Sequence, residues 1–167
     1  KVKQANLEIE RIPELTNAEK NILKALLLPW ASVTQVFSGD YAGAKRTLME
    51  SIDLLTQAST KSGDWRDWFF NVGMAFAHRQ LGYLFRVQGE IEKAISEYVN
   101  SLKFVREANF LLEEATLRND LGFAKAELGD FQNAKRDIQL GLKERYALAD
   151  GRQIALSLST LAQCALR

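Results

Sequence analysis

Apolar residues recur at intervals of three and four along most of this chain, which is the spacing of one face of an α-helix. Three segments show it most clearly: Tyr41, Ala44, Leu48, Ile52 and Leu55; Ile91, Ala94, Ile95, Tyr98, Leu102 and Val105; and Phe131, Ala134, Ile138, Leu142 and Tyr146. Alternation of the β-strand type is nearly absent. The pattern predicts an all-α fold.

A glycine and an acidic residue precede each of these helical segments, as Gly39-Asp40, Gly89-Glu90 and Gly129-Asp130. The glycine can take the left-handed conformation that ends the preceding helix. The acidic residue caps or lies near the start of the next helix, where free amides and the helix dipole favour negative charge. Each pair therefore predicts a tight turn between two helices.

Two markers repeat at intervals of 40 residues: Leu81-Gly82, Leu121-Gly122 and Leu161-Ala162 are one, and Gly89 with Gly129 is the other. Self-similarity at this period predicts a solenoid, in which each unit packs on its neighbours. Each unit consists of a helix A, a turn and a helix B. Gly39 lies 50 residues before Gly89, and the extra residues, at about 64–74, predict a longer helix A in the second unit.

The N-terminal part carries weaker signals, and residues 1–12 are predicted as one short helix. Thr16 and Glu19 have the spacing of a capping box, which predicts a helix running towards Ser38. Pro29 lies within that span and is expected to kink or break it. We divide the chain into an N-terminal helical extension, residues 1–15, and a helical repeat domain, residues 16–167.

The third unit has Leu121-Gly122, Gly129-Asp130-Phe131, Ala134, Ile138 and Gly141 in order, and the second has Leu81-Gly82, Gly89-Glu90-Ile91, Ala94, Tyr98 and Ser101. This order resembles the tetratricopeptide repeat. The resemblance implies a right-handed α–α superhelix of antiparallel helix pairs, here about three and a half units. The 40-residue period exceeds the commoner 34. It is similar to the sensor arms of bacterial signal-transduction ATPases, including maltose-activator-like regulators, and to cell-polarity adaptors.

In that family the concave surface is lined by the A helices and binds proteins or extended peptides. Carried over by phase, the groove positions are Phe76, Arg79, Tyr83, Arg86, Asn119, Phe123, Glu127 and Gln163. The residue set that clamps a C-terminal carboxylate in some members is not assembled. Arg79 and Arg86 could instead hold an acidic or aromatic-containing ligand by ion pairing and stacking. The alternative is a solvated helix surface.

Residues 64–70 form the richest aromatic cluster of the chain. At 100° per residue, Trp65, Trp68 and Phe69 share one broad helix face and Phe70 points away from it. One neighbouring helix cannot easily cover all four rings. The cluster therefore either packs against residues 1–28 or forms a second interface with another domain or subunit.

The bulk composition excludes several functions. Twenty-two basic and 21 acidic residues give a net charge of +1, which offers no basic surface for nucleic acid. No apolar stretch reaches the length of a membrane span. The single cysteine, Cys164, favours a reducing compartment, most simply the cytoplasm. The start at Lys1 and the incomplete last unit suggest a piece of a longer polypeptide.

No catalytic, metal-binding or cofactor-binding constellation is evident. His78, the single histidine, is interpreted as a structural residue, and Glu107, Glu113 and Glu114 as a solvated face. The expected function is a non-catalytic protein–protein interaction scaffold. The alternative is a ligand- or partner-sensing arm of a larger bacterial signalling or transcription regulator.

Overall fold

The computed structural model describes residues 2–58, 63–147 and 151–165, and over these residues the protein forms eight α-helices and no β-strand. In chain order they are α1 (Val2–Glu10), α2 (Asn17–Phe37), α3 (Tyr41–Ala58), α4 (Trp65–Val87), α5 (Ile91–Glu107), α6 (Leu111–Glu127), α7 (Phe131–Ala147) and α8 (Gly151–Ala165). The prediction of an all-α fold is confirmed, and the short helix predicted at residues 1–12 is α1.

The predicted glycine turns are confirmed. Gly39, Gly89 and Gly129 have φ angles of 81°, 78° and 86°, so each ends a helix in the left-handed region. Asn109 takes the same conformation, with φ 52°, between α5 and α6. Asparagine tolerates this region better than most residues, which explains a turn that lacks glycine.

Helix lengths in the second half of the chain are uniform. Helices α5, α6 and α7 have 17 residues each. Only three residues separate α5 from α6, and three separate α6 from α7. The 40-residue period therefore consists of two equal steps of a helix plus its turn.

Helix starts follow the sequence prediction in part. Thr16 and Glu19 form the predicted capping box, with the Thr16 backbone N–H donating to Glu19 Oε2 at 2.8 Å. Asp40 Oδ1 accepts from the Gly43 N–H at 2.8 Å. Glu90 makes no capping hydrogen bond with its side chain, so its role at the start of α5 is limited to its charge.

Pro29 does not break α2, and the expectation of a break there is wrong. Proline has no N–H, so the carbonyl of Ala25, four residues earlier, loses its helical donor. Ser51 Oγ, on α3, donates to that carbonyl at 2.8 Å, and both Ser51 and Pro29 are buried. A side chain of the neighbouring helix thus replaces the missing backbone hydrogen bond.

Consecutive helices pack as antiparallel pairs through small residues, as the repeat predicted. A β-carbon on Gly82 would lie 2.6 Å from the Tyr98 ring, and one on Gly122 would lie 2.4 Å from Ile138 Cγ1. The matching positions of the B helices are all buried: Ala44, Leu48 and Ser51; Ala94, Tyr98 and Ser101; and Ala134, Ile138 and Gly141. Each glycine therefore lets its pair of helices approach closely.

The pairs α2–α3, α4–α5 and α6–α7 stack in chain order, and each pair contacts the next. This packing is consistent with a helical repeat. Helix α4 has 23 residues against 17 in α6, so most of the extra residues between the first two units lengthen α4 at its start, as predicted. Helix α1 packs on α2, where Lys20 Nζ donates to the Glu10 carbonyl at 3.0 Å.

Candidate interaction face of the A helices

The helices at the A position of each unit are α2, α4, α6 and α8, and the predicted groove residues lie on the last three of them. We call the surface formed by Trp30, Val33, Phe37, Phe76, Arg79, Tyr83, Arg86, Asn119, Phe123 and Glu127 the helix-A face. Among the predicted residues, the structure brings Arg86 of α4 into contact with Phe123 and Glu127 of α6. The side chain of Gln163 lies outside the described residues.

Arg79 links α4 to α6 through two carboxylates. Its Nε donates to Asp120 Oδ2 at 2.8 Å and its Nη1 to Glu113 Oε1 at 3.1 Å. Burial alone would lower the pKa of Arg79, but Asp120 and Glu113 outweigh it and raise that pKa. The guanidinium group is thus charged and already occupied by two partners within the protein.

Glu113 is buried at 7% exposure, so its assignment to a solvated face is wrong. Burial raises the pKa of Glu113 above its ordinary value; Arg79 opposes this rise and the nearby Asp120 adds to it. Glu114, next to it, is half-buried and pairs with Arg118 at 2.8 Å and Arg106 at 3.0 Å. Both carboxylates tie α6 to the helices around it.

Arg86 makes the second link between α4 and α6. Its Nη1 lies 3.3 Å from Glu127 Oε1, and its guanidinium carbon lies 4.7 Å from the Phe123 ring centre and 5.7 Å from that of Tyr83. Four predicted groove residues therefore form one stacked and ion-paired cluster. The face carries two arginines against Glu113, Asp120 and Glu127, so it offers no excess of positive charge.

A cleft of about 280 Å³ opens beside these arginines, lined by Val33, Phe37, Arg79, Gln80, Tyr83, Arg86, Tyr98 and Asp120. Tyr98 lies at its floor with 2% exposure, and burial together with Asp120 raises the pKa of its hydroxyl. Phe37, at the rim, is 78% exposed. The cleft thus combines an apolar rim with a polar, charge-neutralised wall.

Three residues of α2 were missed by the sequence analysis. Trp30, Val33 and Phe37 lie 50 residues before Gln80, Tyr83 and Val87, which is the offset between the first two units. Trp30 is 67% exposed and its ring centre lies 6.3 Å from that of Phe76. Applying the 50-residue offset to the predicted groove positions would have identified Val33 but not Trp30 or Phe37, because Gln80 and Val87 were not among those positions.

Asn119 contributes a polar group to the same face. Its Oδ1 is buried and has no hydrogen-bond partner among the described residues. A buried acceptor of this kind is unusual, because most buried polar atoms are paired.

The aromatic cluster at the start of α4 is partly packed and partly exposed. Phe69 and Phe70 pack against the apolar cluster around Ile22 of α2, which agrees with packing on residues 1–28. Trp65 and Trp68 remain 48% and 43% exposed. The rings of Trp65 and Trp68 both contact Phe69, whereas Phe70 contacts Phe104 at 6.2 Å, which agrees with the prediction that Phe70 points away from the other three.

The contacts of His78 are with residues of α5, as expected for a structural residue. Its Nδ1 lies 2.6 Å from Glu97 Oε2, and its ring stacks on Phe104 at 5.6 Å. Forty residues later, Arg118 and Asp137 face each other at the same two positions, 3.8 Å apart. In both units, a polar or charged residue of helix A thus faces an acidic residue of helix B at these two positions.

In the described part of the chain, no group of three or more His, Cys, Asp or Glu side chains is placed to hold a metal ion. None of the described helices has the length and apolarity needed to cross a membrane. Comparison of the sequence with models of known protein families, and with curated proteins, gives no match.

Proposed function

We propose that this protein is a non-catalytic interaction scaffold that binds a peptide or protein partner on the helix-A face. The observation that carries the proposal is the pair of large aromatic side chains exposed on α2, Trp30 at 67% and Phe37 at 78%, beside a cleft. Exposed aromatic residues next to a concave surface are typical of binding sites. The resemblance to tetratricopeptide repeats supports the same surface.

The ion pairs of the helix-A face support a partner of a particular chemistry. Because Arg79 and Arg86 are already paired with Asp120, Glu113 and Glu127, an acidic ligand would have to displace a carboxylate of the protein itself. An aromatic or aliphatic side chain could instead fill the space between Phe37 and Tyr83, which both line the cleft. We therefore propose a partner segment with a large apolar anchor.

A peptide-display library panned against the full chain tests the proposal. We expect enrichment of peptides with an aromatic or aliphatic anchor, and we expect Phe37→Ser to weaken their binding at least tenfold. Phe37 is exposed, so the substitution should leave the helical circular dichroism unchanged. Tyr146→Ser is the matched control, because Tyr146 is an aromatic residue of α7 with 57% exposure.

Two results would refute this site. One is a library that yields no peptide bound more tightly than the unselected pool. The other is a set of peptides whose affinity falls equally with Phe37→Ser and Tyr146→Ser. Charge reversal at Arg79 is a poor test, since it would place three acidic groups together and destabilise the fold.

A further inference from the structure

Two half-exposed tryptophans extend the helix-A face towards the start of α4. Tyr83 lies 18 residues after Trp65, and Arg86 lies 18 residues after Trp68. That interval is about five turns of an α-helix, so each tryptophan points in the same direction as the residue about 27 Å further along the axis. Trp65 and Trp68 therefore lie on the side of α4 that carries Tyr83 and Arg86.

The residues on this side of α4 form one stripe. They follow one another at intervals of three or four: Trp65, Trp68, Val72, Phe76, Arg79, Tyr83 and Arg86. This spacing is typical of a helix surface that packs against another helix. The ring centre of Phe76 lies 6.3 Å from that of Trp30 on α2, and the ring centre of Trp68 lies 6.0 Å from that of Phe110 at the start of α6. Helices α2 and α6 thus flank the stripe.

Further pairs of the repeat would leave this stripe open. The pairs α2–α3, α4–α5 and α6–α7 stack in chain order, so an added pair would pack on an end of the stack. The stripe lies along the side of an internal helix, which already contacts α2 through Phe76 and α6 through Arg79. A molecule that covers the stripe therefore lies across the stacked pairs and does not continue them.

The middle of the stripe favours a helical segment over an extended one. Between Trp68 and Arg79, helices α4 and α2 contribute the apolar side chains of Val72, Phe76 and Trp30 to this face. An extended peptide would place backbone N–H and carbonyl groups against these side chains without hydrogen-bond partners, which is costly. A helix pairs these groups internally, and helices that bind in grooves use apolar residues at intervals of three and four.

We propose that the partner segment of the helix-A face is an amphipathic helix of about five turns that lies along α4. One end of this helix occupies the cleft at Phe37 and Tyr83, and the other end packs on Trp65 and Trp68. The assignment rests on the proposed function of the helix-A face, and it makes the two tryptophans part of the same interface as the cleft.

Two displayed libraries of peptides of about 20 residues, panned separately against the full chain, test the proposal. One library places apolar residues at intervals of three and four, and the other alternates apolar and polar residues. We expect enrichment from the first library, and we expect Trp65→Ser and Phe37→Ser each to weaken the enriched peptides at least tenfold. Tyr146→Ser, on α7, is the matched control and should change their affinity less than twofold.

The substitution at Trp65 is preferred to one at Trp68, because Trp68 also contacts Phe110 at the start of α6. An unchanged melting temperature of Trp65→Ser shows that a loss of affinity is not a loss of fold. A second measurement alters the peptide. When the apolar residues at one end of an enriched peptide are replaced by alanine, it should no longer respond to one of the two substitutions, Trp65→Ser or Phe37→Ser, and should still respond to the other.

Peptides that depend on Phe37 but not on Trp65 would overturn the five-turn helix and leave the proposed function intact. Failure of both libraries, or peptides that depend on neither residue, would overturn both proposals. Dependence on Trp65 alone would show that the two surfaces bind separately, which also overturns the single interface. Enrichment from the alternating library, with no gain of helical circular dichroism on binding, would overturn the helical conformation.

Discussion

Ser51 Oγ lies 2.8 Å from the carbonyl oxygen of Ala25, the carbonyl that Pro29 leaves without its helical donor. Ser101 Oγ makes the equivalent contact with Ala75 at 2.6 Å, but there Arg79 supplies a backbone N–H inside α4. The two hydrogen bonds are alike in geometry and differ in what remains when the serine is removed.

Ser51→Ala should therefore destabilise the protein more than Ser101→Ala. The first change leaves a buried carbonyl without a donor, at a cost of about 1–3 kcal/mol, whereas the second removes one of two donors, at about 1 kcal/mol. Urea unfolding followed by circular dichroism measures both free energies. Equal losses would show that Ala25 finds another donor in α2.

The free energy of unfolding should depend on pH differently in the native chain and in the variant Glu113→Gln. The folded-state pKa of Glu113 is raised above 4.5, so the folded protein binds more protons than the unfolded chain in the window above that value. The contribution of Glu113 to stability is therefore largest below about pH 4.5 and falls as the pH rises through the folded pKa.

The difference in unfolding free energy between the native chain and Glu113→Gln isolates this effect, since other carboxylates contribute equally to both. We expect the native chain to lose stability relative to Glu113→Gln as the pH rises from 4.5 towards neutrality. Parallel curves for the two proteins would contradict the raised pKa.

Gly122→Ala should destabilise the α6–α7 pair even though alanine favours helices. The added carbon would meet Ile138 Cγ1 at 2.4 Å and the Ala134 carbonyl at 2.9 Å, so α7 must move. We expect a net loss of about 1–2 kcal/mol after the gain in helix propensity of about 1 kcal/mol. Gly151→Ala, where nothing lies within 4 Å, is the control and should be neutral or stabilising.

Substitutions at Asn109 test the turn between α5 and α6. Asn109→Gly should keep or slightly raise stability, because glycine adopts a φ of 52° without steric cost. Asn109→Val should lower it by about 1–2 kcal/mol, since a β-branched residue is strained in the left-handed region. Thermal unfolding of the two variants gives the comparison; a stable valine variant would mean that the turn rearranges.

Local features were predictable from the sequence because they depend on neighbours within one helical turn. The 3.6-residue periodicity, the glycine at the end of a helix and the capping box at Thr16 are of this kind. The antiparallel pairing was implied by the resemblance to the tetratricopeptide repeat. These signals account for the seven helices α2 to α8 and for the contact between Gly122 and Ile138.

Features that join separate helices were harder to predict. Arg79 pairs with Asp120, which lies 41 residues later in the sequence, and no feature of the sequence near Arg79 predicts that partner. For the same reason, Glu113 looked solvated beside Glu114 but is buried under Arg79. Trp30 and Phe37 were overlooked because their repeat equivalents, Gln80 and Val87, are not among the predicted groove positions.

Equal 17-residue helices joined by three-residue turns have an evolutionary consequence. A duplication or deletion of forty residues preserves every helix in its role, so the array can lengthen or shorten by whole pairs. Loss of a single helix and its turn keeps the spacing but exchanges the A and B positions, so the helices that follow would no longer match their partners. The array can therefore gain or lose helices only two at a time.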